Sequence, residues 1–216
     1  MYVNPAFQTD DDAAWDYVVR RGYGAVIATD KGAPVAAQVP LLVTGTGTGR
    51  RIEFHVAGVN PLHEIVVRSP RVLVVVSGPD AYISPDWYTS ADQVPTWNYL
   101  AAHMTGSARP MAPEAAGAHV EAMSQAFEQR LAPKKPWSTS KMTAARLSAM
   151  LRAIVPMEIE VERIEASTKL GQNKTVADRM EVARMLAWRD GWGEAAVAAA
   201  MREEIRSQAK AAKEGR

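Results

Sequence analysis

The residues best equipped for chemistry in this sequence fall in two short stretches. His55-Val56-Ala57-Gly58-Val59-Asn60-Pro61 runs off a strand end directly into a helix start. A helix N-terminus presents free backbone N–H groups and a partial positive charge, which suits a phosphate or another anion. The same residues also read as a well-capped helix that binds nothing. The second stretch, Lys169-Leu170-Gly171-Gln172-Asn173-Lys174, places a cation and two amides on a loop after the last strand. Loops carry binding groups more often than core strands do; the alternative reading is a polar turn that caps the next helix. Between the two lie Gly78 to Tyr88 and Val94 to Tyr99, where Tyr82, Trp87, Tyr88, Trp97 and Tyr99 stand beside polar groups. Aromatics in such runs wall a planar ligand, anchor an interface or fill a core.

Other chemistries are excluded or unsupported. The sequence contains no cysteine, so disulfides, thiol catalysis and thiolate metal sites are absent. The four histidines, His55, His63, His103 and His119, lack the local spacing that gives zinc three or four converging ligands, and no metal site is expected. No G-x-S-x-G nucleophile elbow occurs, and no residue set identifies a catalytic centre. Thr44-Gly45-Thr46-Gly47-Thr48-Gly49 has the glycine content of a phosphate loop. The residues after it, Arg51 to Val56, read as a strand, whereas both phosphate-loop fingerprints require a helix there. A hairpin loop is the expected reading.

These residues are set in a chain of 216, long enough for one domain with a full core. Hydrophobic residues make up 47% and charged residues 23%, as in ordinary globular proteins. Twenty-five Lys and Arg face 24 Asp and Glu, for a net charge of +1. That balance gives no general attraction to nucleic acid or anionic membranes. The first residues lack the basic and apolar segments of a signal peptide, and the most apolar run, Val72 to Val76, is too short to cross a bilayer. A cytoplasmic location with no membrane partner is expected.

Asp10-Asp11-Asp12 caps a short helix that ends at Gly22. Strands are predicted over Gly24–Thr29, Val35–Thr44, Arg51–Ala57, Arg71–Ser77 and Val94–Ala108, with a tight turn at Lys31-Gly32. Asn60 is the expected cap of one small helix and Pro61 its first residue. Helices follow over Glu114–Leu131 and Thr143–Met150. Ile154–Ala166 alternates apolar and charged residues as a half-buried strand, and helices over Val176–Trp188 and Glu194–Lys213 complete the chain. Antiparallel strands with short turns and no crossover helices imply a closed barrel with C-terminal helices, an α+β, mainly β fold.

Taken together the segments resemble the PaiB family of FMN-binding split-barrel proteins, named for a regulator of protease production and sporulation in bacilli. The resemblance rests on Met1 to Phe7, Val39-Pro40, His55-Val56-Ala57 with Asn60-Pro61, Gly78 to Tyr88, Val94 to Tyr99, and Lys169-Leu170 with Gln172-Asn173. It implies a single split-barrel domain over residues 1–216, with its helical C-terminal portion at about 174–214, related to pyridoxamine phosphate oxidase. It also implies a homodimer with FMN in a groove between subunits. Carried over to this sequence, His55, Val56, Ala57 and Asn60 approach the ribityl phosphate. Trp97 and Asn98 lie near the ring or the interface, and Lys169, Gln172 and Asn173 complete the site from the C-terminal loop. The sequence departs from the family pattern at Gln38, Gly58, His63 and Gly171, and a missing cation near Gly58 weakens phosphate binding.

The resemblance implies a flavin-binding transcriptional regulator. A flavin-dependent oxidoreductase and a regulatory dimer without cofactor remain open as alternatives. DNA is a possible partner, but no helix-turn-helix is visible. The stretch from Met201 to Arg216 dilutes Arg202, Arg206, Lys210 and Lys213 with Glu203, Glu204 and Glu214, which reads as a solvated face.

Overall fold

The computed structural model describes residues 1–189 and 191–214. Eight strands and six α-helices occur among them. The strands are β1 (Gln8–Thr9), β2 (Tyr23–Asp30), β3 (Ala33–Pro40), β4 (Leu42–Thr44), β5 (Arg51–Ala57), β6 (Arg71–Ile83), β7 (Thr96–Pro110) and β8 (Ile154–Lys169). The helices are α1 (Asp11–Arg21), α2 (Leu62–Arg68), α3 (Ala116–Glu128), α4 (Ala144–Arg152), α5 (Val176–Leu186) and α6 (Glu194–Glu214). The chain divides into two compact units, one of Asp11–Val76 with His103–Ile164, the other of Met1–Asp10, Ser77–Ala102 and Glu165–Arg216. Strands β6, β7 and β8 each contribute residues to both.

In the larger unit the strand order is β3-β2-β6-β7-β8-β5-β4. The first and last members, β3 and β4, are separated in sequence by Leu41 alone, so the sheet curls until its ends meet, as a barrel requires. The register is antiparallel throughout its resolved pairs: Val26 faces Ala37 on β3, and Phe54 faces Met157 on β8. Alternation sends Val26, Ile52, Phe54, Val72, Val74, Met104 and Met157 inward, where each is fully buried or nearly so. Each such side chain contributes on the order of 1.5–3 kcal/mol by leaving water.

The turns match their residues. Lys31 and Gly32 both take positive φ, 49° and 85°, as a two-residue hairpin between β2 and β3 requires. The glycine-threonine segment is the β4–β5 hairpin loop. Gly45 there has φ 78°, and a Cβ on it would lie 2.0 Å from the carbonyl oxygen of Gly49, so no side chain fits.

Several element ends differ from expectation. The segment predicted as one strand over Val35–Thr44 breaks at Leu41, whose side chain turns into the core. β6 continues past Ser77 to Ile83, because the apolar positions Ala81 and Ile83 resume the inward alternation beyond Pro79. β8 likewise runs on to Lys169. The small helix begins at Leu62 rather than Pro61, yet Asn60 still accepts a hydrogen bond from the Leu62 N–H at 3.0 Å.

The smaller unit packs α5 and α6 around Leu170, Val182, Leu186, Val197 and Met201, with Ala81 and Ile83 of β6 in the same core. β1 pairs with the end of β8, placing Gln8 opposite Ser167. No helix among the described residues is long and apolar enough to cross a membrane. On α6, Arg206 pairs with Glu203 and Lys210 with Glu214, the solvated face anticipated. Positions 215 and 216 of that stretch lie outside the described residues.

Candidate functional site

Three cavities collect the residues singled out by sequence, one in the smaller unit and two in the larger. In the smaller unit, a cavity of about 180 Å³ is lined by Phe7, Tyr88, Val94, Thr96, Asn98, Lys169, Gly171, Asn173 and Lys174. β8 ends at Lys169 and delivers that side chain beside β7, where its ammonium donates to Oγ1 of Thr96 at 2.6 Å. The same ammonium stands 5.8 Å from the centre of the Phe7 ring, within cation–π range. Lys174 repeats the arrangement. It donates to Oε1 of Gln93 at 2.6 Å and lies 5.4 Å from the Tyr88 ring centre.

Burial pushes the Lys169 ammonium below its ordinary pKa. Burial also raises the Tyr88 phenol, and the neighbouring Asp178 carboxylate raises it further. Asn98 is buried and donates from Nδ2 to the sulfur of Met201 at 3.4 Å. Gln172 spends its amide on the turn itself, accepting from the Leu170 N–H at 2.8 Å and donating to the Thr168 carbonyl at 2.6 Å. That bonding holds the loop on which Lys169, Gly171 and Asn173 sit. Trp97, next to buried Asn98 on the strand, points to the other face, where it is 52% exposed and packs edge-on against Tyr82 at 6.0 Å.

In the larger unit, the expected junction residues separate. His55 and Asn60 line different cavities: His55 one with Phe127 and Trp137, Asn60 another with Pro61, Leu62 and Ile65. Val56 turns its side chain into the core, and Ala57 is exposed at the strand end. The His55 ring is not an isolated polar group. Its Nδ1 lies 3.1 Å from Nε2 of His119, whose Nδ1 lies 3.1 Å from Oε2 of Glu53. Burial, and then the proximity of His119, lowers the His55 pKa. Sequence spacing hides this chain, since His119 lies 64 residues from His55. The legible part is Glu53-Phe54-His55, which puts two polar groups on one face of a strand. No group of three or more metal-ligating side chains converges among the described residues.

The lining of the smaller unit's cavity is of a kind that suits an anion. It offers two ammonium groups, the amides of Asn98 and Asn173 and the rings of Phe7 and Tyr88, with no carboxylate among its lining residues. Phe7, Tyr88, Thr96 and Lys174 were not among the expected site residues. All but Thr96 are brought in from outside the strands by the N-terminal segment or by loops.

The "Putative FMN-binding domain" family model matches residues 1–163. The Bacillus subtilis protein named protease synthase and sporulation protein PAI 2 is 32% identical over 209 residues, covering 96% of this chain and all of that one. Among solved structures, an FAD and heme binding protein from Mycobacterium smegmatis superposes with a TM-score of 0.54 at 15% identity, over 86% of this chain and 80% of that chain. The Azotobacter vinelandii flavocytochrome Anf3 gives 0.52 at 13% identity, over 76% and 70%. At such identities the structural likeness speaks for the fold, which agrees with the curled antiparallel sheet described above. The near full-length sequence match and the family model decide the affiliation: this chain is a member of the FMN-binding split-barrel family.

Proposed function

We propose that the protein is an FMN-binding homodimer with a regulatory role, and that the flavin's anionic end is held in the cavity of the smaller unit. The observation that carries this reading is the pairing of Lys169 and Lys174 around a cavity without a carboxylate, in a chain whose family is described by FMN binding. FMN, when bound, supplies one- and two-electron chemistry of its own. The chain's residues supply the rest. Lys169 and Lys174 neutralise phosphate charge, Asn98 and Asn173 offer amide groups, and the rings of Phe7 and Tyr88 exclude water.

Homodimerisation is supported by the exposed edge-on pair Tyr82 and Trp97, since apolar surface of this kind usually marks an interface. A cytoplasmic site of action accords with this reading. The test is the visible spectrum of purified protein before and after added FMN. Flavin absorbance that stays with the protein through gel filtration supports the proposal, and flavin that elutes free refutes it.

A further inference from the structure

The Glu53–His119–His55 chain ends at a cleft that the flavin reading does not use. The cleft, about 270 Å³, is lined by Pro40, His55, Val120, Met123, Phe127 and Trp137, together with Ser124 and Glu128. Its polar end is built rather than accidental. The His119 side chain is fully buried between its two partners, and such a group is kept only when hydrogen-bonded.

The order of donors follows from the carboxylate. Glu53 accepts, so His119 carries a proton on Nδ1, and in its neutral form it presents a lone pair at Nε2. That lone pair accepts from Nδ1–H of His55. Nε2 of His55 is then the unprotonated nitrogen, an acceptor, and the one left to meet a ligand.

The opposite wall is also fixed. Glu128 accepts from the Trp137 backbone N–H at 2.8 Å and pairs with Lys134. Glu121 accepts from the Thr139 hydroxyl at 2.5 Å. These bonds pin the segment that carries Trp137 to α3. Both bonds to Glu128 fall on Oε2, which keeps its charge on the Lys134 side, so the cleft combines aromatic and thioether surface with the Ser124 hydroxyl and the His55 ring nitrogen.

We propose that this cleft binds a planar, uncharged aromatic molecule of one or two rings that donates a single N–H or O–H hydrogen bond to Nε2 of His55. The volume sits just below the lower end of the usual range for small-molecule sites, which limits ligand size. The inference does not rest on the flavin site in the smaller unit.

Two probes of equal shape test it: indole, which has the ring N–H, and 1-methylindole, which lacks it. Titrated into ¹⁵N-labelled full-length protein, indole is expected to saturate and to shift the His55 ring resonances. 1-Methylindole is expected to bind at least about tenfold more weakly, because it cannot donate to Nε2 of His55 and sets a methyl group against that acceptor. The difference should vanish in His55→Ala. Trp137→Ala, which spares the histidine chain, should weaken both probes alike. In the unliganded protein the nitrogen shifts should report Nδ1–H on both histidines. Indole binding should fail as the histidine pair gains a proton, with Glu53, His119 and Glu128 as the charged or titratable surroundings of His55, and with Glu158, tied to Arg51 and Arg109, opposite Glu53 in the sheet. Equal affinity for the two probes, no saturation by indole, an Nε2–H tautomer on His55, or displacement of indole by FMN would each overturn the proposal.

Discussion

Nζ of Lys169 lies 2.6 Å from Oγ1 of Thr96, which ties the last residue of β8 to the first residue of β7 and aims a half-buried cation into the smaller unit's cavity. A hydroxyl oxygen satisfies only one of the three ammonium hydrogens. Two remain for an anion.

Lys169→Ala is therefore expected to weaken FMN by about 1.5–3 kcal/mol, the usual range for a hydrogen bond to a charged group. Lys174→Ala should act in the same direction, and Thr96→Val more weakly, because it loosens Lys169 without removing the charge. Quenching of flavin fluorescence on titration reads all three. Unchanged affinity in both lysine variants would move the phosphate elsewhere.

The exposed pair of Tyr82 and Trp97 sets the second expectation. Light scattering at micromolar concentration should report about twice the chain mass of 23.5 kDa. Trp97→Asp should lower that mass toward one chain, since a charge in an apolar contact cannot be desolvated without cost. Asn98, its neighbour on the buried face, offers a control on folding: near-UV ellipticity of Trp97→Asp should remain that of a packed core.

Asp178 governs acid stability in the smaller unit. Buried at the start of α5, it accepts from the backbone N–H and hydroxyl of both Thr89 and Ser90, at 2.7–2.9 Å, and from the Thr175 hydroxyl at 2.8 Å. Side-chain hydrogen bonds from Ser90 and Thr89 hold its carboxyl far below the ordinary range. A carboxyl depressed in the folded state stabilises the fold above its unfolded pKa, about 3.9, and that contribution is lost as pH falls toward the folded value. Asp178→Asn should lower Tm by several degrees at pH 7 and flatten the decline of Tm with acid below about pH 4. Parallel Tm curves for the two proteins between pH 2 and pH 7 would contradict this.

The sequence carried the strand periodicity, the two-residue turn at Lys31-Gly32 and the hairpin at Gly45, because each is decided by neighbouring residues. It carried Lys169 and Asn173 for the same reason, as a polar loop after an alternating strand. Phe7, Tyr88 and Lys174 escaped notice as lining residues because their meeting depends on long-range pairing, such as Gln8 with Ser167. The His55–His119 pair was hidden more deeply. Each histidine alone fits an ordinary polar position, and only the packing of α3 against β5 gives them a common proton order.

The regulatory reading separates from an enzymatic one by salt and by electrons. A protein that acts on DNA directly must neutralise phosphates, so its affinity falls steeply with rising salt. On α6 three of the four described cations are already engaged: Arg206 with Glu203, Lys210 with Glu214, and Arg202 with the Ala183 carbonyl at 3.3 Å. The expected outcome is weak, salt-sensitive DNA binding that ignores sequence, with regulation exerted through the flavin or through another protein. An oxidoreductase would instead accelerate the reduction of FMN by NADH or NADPH over that of free flavin. Tight binding to one DNA sequence at 150 mM salt, roughly physiological ionic strength, would restore direct transcriptional control. Rapid nicotinamide turnover that is lost in Lys169→Ala would place the enzyme first.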